Sequence, residues 1–199
     1  MMNGFKGSAA RLNDFDIAQV AGTMEVEVAA LRAVLAVESA GDGFDKAGRP
    51  KALFERHLFY RILKNKPTEL AQAIAAGIAY PKWGEKPYPK GSDAVYKEIE
   101  TAYNIAPKEA LMATSWGLGQ VLGSNHVAAG AESPEAMVEQ AMASELYQLQ
   151  HMANFISNNN LLKHVKSKDW ASFAKGYNGP AYAKNKYDTK LQEAYNRFV

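Results

Sequence analysis

The chain has 199 residues, of which 47% are hydrophobic and 22% charged; its formal net charge is +2 and it has no cysteine. That length suits one domain, or one domain with a small subdomain. The missing thiols exclude disulfides, thiolate zinc sites and cysteine nucleophiles.

No apolar run approaches the ~18 residues of a membrane span. The opening MMNGFKGSAARLNDFD has no apolar core of the kind a secretory signal needs, so none is expected. Charge is uneven. Residues 161–199 hold eight Lys/Arg against three Asp/Glu, and residues 1–160 hold fifteen against eighteen. A basic tail can favour an anionic polymer, although a solvated face is the plainer reading.

Helix signals dominate. Asp14 is expected to cap a short helix over 15–21, stopped by Gly22. Thr23 is the expected N-cap of the next, with Glu25 and Glu27 in its first turn, where the helix dipole favours them. This second helix runs to about Ser39. From Val28 to Val37 its only polar side chain is Arg32, so it reads as a central, buried helix, with Gly41 as its stop.

GDGFDKAGRPKALFERH is too rich in turn formers for a helix. Gly48 and Pro50 suggest a turn between short extended pieces at 44–46 and 51–55, a small hairpin. A helix over 56–63 follows, then another over 69–79 with Gly77 a weak point. YPKWGEKPYPKG, residues 80–91, reads as a surface loop with Tyr80, Trp83 and Tyr88 as a possible cleft wall.

Helices recur at 92–104 and 106–114. Ser133-Pro134 supplies a cap and an N1 proline. The helix after it has apolar residues at 138, 142, 146, 149, 153 and 156, in steps that match a helical period. Helices at 168–176 and 187–198 end the chain. The expected class is mostly α with a small β element.

The four histidines, His57, His126, His151 and His164, make no HExxH motif and no helical pair, so no metal is expected. No Gly-rich phosphate loop follows a strand, and a G-x-S-x-G elbow is absent. Neither a cofactor nor a nucleic-acid partner is therefore expected.

Carboxylates remain. Glu38 ends an apolar helix where a polar turn begins. Desolvation there raises a carboxyl pKa, and a protonated acid facing a cleft can donate a proton to a glycosidic oxygen. On position alone, a capping or ion-pairing role stays open. Glu55, at the end of the hairpin, is the candidate second carboxylate; its rival role is an ion pair with Arg56 or a lysine. Asp42 and Asp45 are nearer in sequence and come next.

ATSWGLGQVLG, residues 113–123, also suits a sugar polymer. Its glycines allow close backbone approach, Trp116 can stack on a sugar face, and Gln120 can hydrogen-bond hydroxyl or acetamido groups. In KGYNGPAY, Tyr177 and Asn178 precede a tight Gly-Pro turn.

AVESAGDGF, ALFERHLFYRIL, TSWGLGQVLGSNH and FAKGYNGPAYAKNKYDTKLQEAYNRF together resemble the N-acetylmuramidase family of bacteriophage endolysins. The resemblance runs from about Asp14 to the C terminus. Within the wider lysozyme-like superfamily, "ES" after an apolar helix, "GLGQ" and "YNG" are similar to patches of goose-type lysozymes and soluble lytic transglycosylases. The resemblance implies a lysozyme-like fold in a single catalytic domain over 1–199, with no separate peptidoglycan-binding module.

It further implies that Glu38 is the general acid and that Gln120 and Tyr177 line a glycan cleft. Gly119 stands where the transglycosylase patch usually has methionine. The full expected set is Glu38 and Glu55 as catalytic residues, with His57, Trp116, Gln120, Tyr177 and Asn178 binding substrate.

The implied activity is hydrolysis of the β-1,4 bond between N-acetylmuramic acid and N-acetylglucosamine in peptidoglycan, by a monomer that does not insert in membranes. It is made in the cytoplasm of a phage host and acts on the wall after release. The alternatives are a lytic transglycosylase leaving 1,6-anhydro ends and a non-catalytic wall-binding protein on the same scaffold.

Overall fold

The computed structural model describes residues 2–39 and 41–199; Ala40, two positions after Glu38, lies outside the described residues. The fold is mostly helical: α1 (Asp14–Met24), α2 (Val28–Glu38), α3 (Arg56–Ile62), α4 (Pro67–Ala75), α5 (Ser92–Ile105), α6 (Pro107–Met112), α7 (Pro134–Ala143), α8 (Glu145–Asn158), α9 (Leu162–Ser167), α10 (Trp170–Asn178) and α11 (Tyr187–Phe198). One antiparallel sheet joins β1 (Ala52–Phe54), β2 (Thr114–Trp116) and β3 (Val121–Leu122) in that order. Among the described residues no helix is long and apolar enough to cross a membrane.

Two apolar clusters carry the packing. The first surrounds α2 with residues of α1 and α8–α11, including Leu31, Val34, Leu149, Phe173 and Leu191. The second lies under the sheet and α3–α6, with Phe54, Phe59, Tyr96, Ile99 and Trp116. Helix α2 buries Ala30, Leu31, Ala33, Val34 and Leu35, and each large aliphatic side chain so placed contributes roughly 1.5–3 kcal/mol. The expected central helix is therefore present, and its last residue is Glu38.

Its start differs from expectation. Helix α1 is capped by Asn13 in a capping box with Asp16, not by Asp14, and runs through Gly22. Thr23 donates its hydroxyl to Gln19 O at 3.1 Å and so extends α1. Glu25, left-handed at φ 54°, ends that helix, and α2 begins only at Val28.

The hairpin also differs. Phe44 bridges Pro50 around a tight turn, but β1 pairs with β2, placing Ala52 opposite Trp116 and Phe54 opposite Thr114. The single long helix expected after Ser133 is two helices. Ser133 caps α7 as expected, accepting from Ala136 N at 3.0 Å. Ser144 is extended, with φ −160° and ψ 156°, and caps α8 through Tyr147 N.

The break is held from outside. Ala9 N donates to Met142 O at 3.1 Å, Ala10 N donates to Ala143 O at 3.0 Å, and Glu145 N donates to Ala10 O at 2.9 Å. The N-terminal arm thus satisfies backbone groups that a helix junction leaves unpaired.

His151 lies on the buried face of α8, with Nε2 2.8 Å from Gln140 Oε1. Burial lowers its pKa from the usual value to about 4. A base kept neutral by folding adds stability that is complete above its unfolded pKa, near 6.5. That stability is lost as pH falls toward about 4, because the unfolded chain then binds the extra proton. The loss should reach about 3 kcal/mol. Thermal melts across this window are expected to show a steeper acid slope for the wild type than for His151→Leu.

Candidate active site

Glu38 reaches the rim of the first cluster because α2 is apolar up to its last turn. Ser39, buried behind it, donates its hydroxyl to Leu35 O at 2.6 Å and accepts from Gly41 N at 3.1 Å. This closes the helix end and turns the chain away.

One Glu38 oxygen accepts from Asn178 Nδ2 at 2.9 Å. Burial raises the carboxyl pKa, and the Asn178 amide opposes the rise only in part. Two tyrosines lie within electrostatic reach of the same carboxyl group. Burial and the Glu38 charge raise the pKa of Tyr177 well above its usual value, and the same two causes raise that of Tyr187.

The GLGQ segment joins this group through Tyr177, whose hydroxyl donates to Gly119 O at 2.7 Å. The Tyr177 ring is stacked on Phe173, with centroids 5.4 Å apart, and meets Phe155 edge-on at 5.7 Å. Gln120 sits in the left-handed region at φ 46°, which costs a non-glycine residue of order 1–3 kcal/mol. Its amide donates to Gly117 O at 2.9 Å and to Lys51 O at 3.1 Å, which ties the segment to the hairpin. Glu38, Gln120, Tyr177 and Asn178, up to 140 residues apart in sequence, are thus brought into one bonded assembly.

The family model for N-acetylmuramidase matches residues 27–199, a span that takes in every residue of this assembly. The chain belongs to the N-acetylmuramidase family. The crystal structure of the Burkholderia AP3 phage endolysin is similar to this muramidase-family chain, with a TM-score of 0.84 and 38% identity over 94% of this chain and 70% of that one. No curated protein sequence matches the chain.

Not every expected site residue joins the assembly. Trp116 is 2% exposed. Strand alternation turns it with Thr114 toward the second cluster, where it stacks on Phe5 at 5.7 Å and donates its indole N–H to Leu111 O at 3.1 Å. Neither ring face is open to a sugar, so its expected stacking role is corrected to a core role.

Glu55 and His57 stand together elsewhere. Tyr88 donates its hydroxyl to Glu55 Oε2 at 2.5 Å, and His57 Nδ1 lies 3.3 Å from the same oxygen. Tyr88, pushed up to about 12 by burial and by Glu55, stays a neutral donor. Arg56 does not pair with Glu55. It bonds both oxygens of Glu98 and the carbonyls of Lys86 and Pro87, anchoring the aromatic loop, in which Trp83 is 70% exposed.

Asp45 is spent on structure. It accepts from Ser92, from the Arg49 side chain and from the backbone of Ala47 and Arg49, and these donors hold its carboxyl below the usual range despite burial. Asp42 is open, 3.6 Å from Arg11, on the wall of a hollow of about 590 Å³ shared with Phe44, Arg49 and Lys51.

Sequence reasoning missed Tyr187, whose ionisation feels Glu38, the pairing of the loop residue Tyr88 with Glu55, and two buried polar residues, Glu145 and Gln148. A signal for the last two was present. Glu145 stands four residues before Leu149 and Gln148 four before Met152, so each shares a helix side with a buried apolar residue.

Because the Asn178 bond favours the charged form of Glu38 while burial opposes it, Asn178→Leu should raise the Glu38 pKa further. Carboxyl-carbon NMR titration of both proteins checks this; a fall in the variant would contradict the assignment of causes.

Proposed function

We propose that residues 1–199 act as one catalytic domain that hydrolyses the β-1,4 bond between N-acetylmuramic acid and N-acetylglucosamine in peptidoglycan. Glu38 is the proton donor. The observation that carries this reading is the carboxyl of Glu38, its pKa raised by burial, bonded to Asn178 next to the Tyr177 that joins the GLGQ patch. An acid of raised pKa is what departure of a sugar oxygen needs. Family membership and the likeness to a phage endolysin support a role in wall degradation. The protein then acts as a monomer on glycan strands, made inside a phage-infected host and released to its wall.

Gln120, Tyr177 and Asn178 hold the glycan side of the cleft in this proposal. Glu55 is the proposed base, with His57 as its neighbour. One observation favours a second reading. Glu55 is engaged by Tyr88 and His57, and the causes that shift the Glu38 pKa are burial and Asn178, without Glu55. A single carboxyl group suits a lytic transglycosylase, in which the muramic 6-hydroxyl replaces water. Mass spectrometry of digested peptidoglycan separates the two, since hydrolysis leaves reducing ends and the transglycosylase leaves 1,6-anhydro ends.

Glu38→Gln keeps volume and loses the proton. Clearing of outer-membrane-permeabilised cells should fall roughly 10²–10⁴-fold while the melting temperature holds. Half of wild-type activity in this variant would remove Glu38 from the mechanism.

Glu55→Gln distinguishes a base from a tether. A base loses turnover with wall binding unchanged, because it acts in the transition state. A tether for Tyr88 loses melting temperature and leaves turnover intact. Measuring both on one sample decides.

A further inference from the structure

Helix α8 opens with two polar side chains on its buried side. Glu145 is 6% and Gln148 2% exposed. They are one turn apart and so face the same way. Glu145 Oε1 accepts from Arg11 Nη1 and from Gly43 N, both at 2.8 Å, and its Oε2 accepts from Leu12 N at 2.8 Å. Gln148 Oε1 accepts from Leu118 N at 2.9 Å, and its amide donates to Ala141 O at 2.8 Å. Gly43 follows the Glu38 turn, and Leu118 is the centre of the GLGQ patch.

Both loops also press on one side chain. A Cβ added at Gly43 would run into the Gln148 amide, and so would a Cβ at Gly117. The loops are bonded to each other as well. Lys51 N donates to Gly43 O at 2.8 Å, and Lys51 O accepts from Gly117 N at 2.8 Å and from Gln120 Nε2 at 3.1 Å. The bonds form a closed ring from Glu145 through Gly43, Lys51, Gly117 and Leu118 to Gln148, completed by one turn of α8.

Apolar side chains would fill this space without the desolvation that buried polar groups incur. What acceptors add is direction, because a backbone N–H held near 2.9 Å cannot slide as a methyl contact can. Among the described residues neither side chain hydrogen-bonds Glu38, so their bonds act on it through the backbone of the two loops.

We infer that Glu145 and Gln148 are positioning residues that set the Glu38 turn against the GLGQ patch, and so align a bound glycan with the Glu38 carboxyl group. The inference rests on the glycan-cleaving reading of this cleft. It separates binding from turnover: loosened loops still hold a long polymer, whereas misalignment of about 1 Å lowers turnover up to roughly a hundredfold.

The test compares wild type, Gln148→Met, Glu145→Gln and Glu145→Ala. Three quantities are read: new glycan ends released from purified peptidoglycan, co-sedimentation with it, and amide hydrogen exchange in 41–51, 113–123 and 187–198. Gln148→Met keeps length and removes both bonds. Its exchange should rise in the first two segments and stay at the wild-type level in the third. Turnover should fall roughly tenfold to a hundredfold, with wall binding unchanged. Glu145→Gln keeps one carbonyl acceptor and should retain more turnover than Glu145→Ala; that pair carries the comparison if Gln148→Met does not fold.

Wild-type turnover in variants with freed loops would overturn the positioning role, as would exchange raised equally in all three segments. A wild type that leaves peptidoglycan intact would overturn the glycan-cleaving reading instead.

Discussion

The site depends on one compromise at Glu38, a carboxyl group carried to the end of an apolar helix and given one side-chain amide. Full solvation would leave an ordinary, ionised glutamate, and a lysine or arginine beside it would lower its pKa. Here burial outweighs the Asn178 amide, and the carboxyl pKa is raised. Two tyrosines add no cation, and their own ionisation is suppressed by burial and by the same carboxyl group. The apolar length of α2 and the phenol rings of α10 and α11 are therefore parts of one electrostatic arrangement.

That arrangement requires three distant segments to meet, and backbone carbonyls do much of the joining. Gly119 O receives Tyr177, and Lys51 O receives both Gly117 and Gln120. Carbonyls can serve so only where the chain comes close, which explains the small residues. Gly119 lies against Met152, and any Cβ there would collide with that side chain. In this chain the position before Gln120 is thus shaped by contact with α8, and methionine at this position could not fit without moving that helix.

Most elements were legible because their signals are local. The apolar run of α2, the Ser133-Pro134 start and the proline-rich loop each declare themselves within a few residues. Glu38 was legible for the same reason, as an acid where an apolar run stops. The misreadings share a non-local cause. Ser144 breaks an otherwise continuous helical period because an arm more than 130 residues away supplies the pairing. Trp116 looked like a sugar platform until strand pairing turned it inward onto Phe5. Strand alternation places a side chain on one face or the other only after the register is known, and that register came from Ala52 opposite Trp116.

The same register bears on the second carboxylate. Lys51 O is gripped by Gln120, so this end of the extended segment lies against the GLGQ patch. The chain then runs through Ala52, Leu53 and Phe54 before Glu55, whose N–H bonds Ala113 O at 2.8 Å. Four residues of extended chain span ~13 Å. The extended segment expected to fold on itself as a hairpin pairs with β2 instead and leads into the aromatic loop, where Tyr88 and His57 receive Glu55. Asp42 stays close to the Glu38 turn in sequence and lies open on the wall of the neighbouring hollow. Pairing with β2 thus ties Glu55 into the sheet and the aromatic loop, while the amide that Glu38 receives comes from Asn178 at the end of α10.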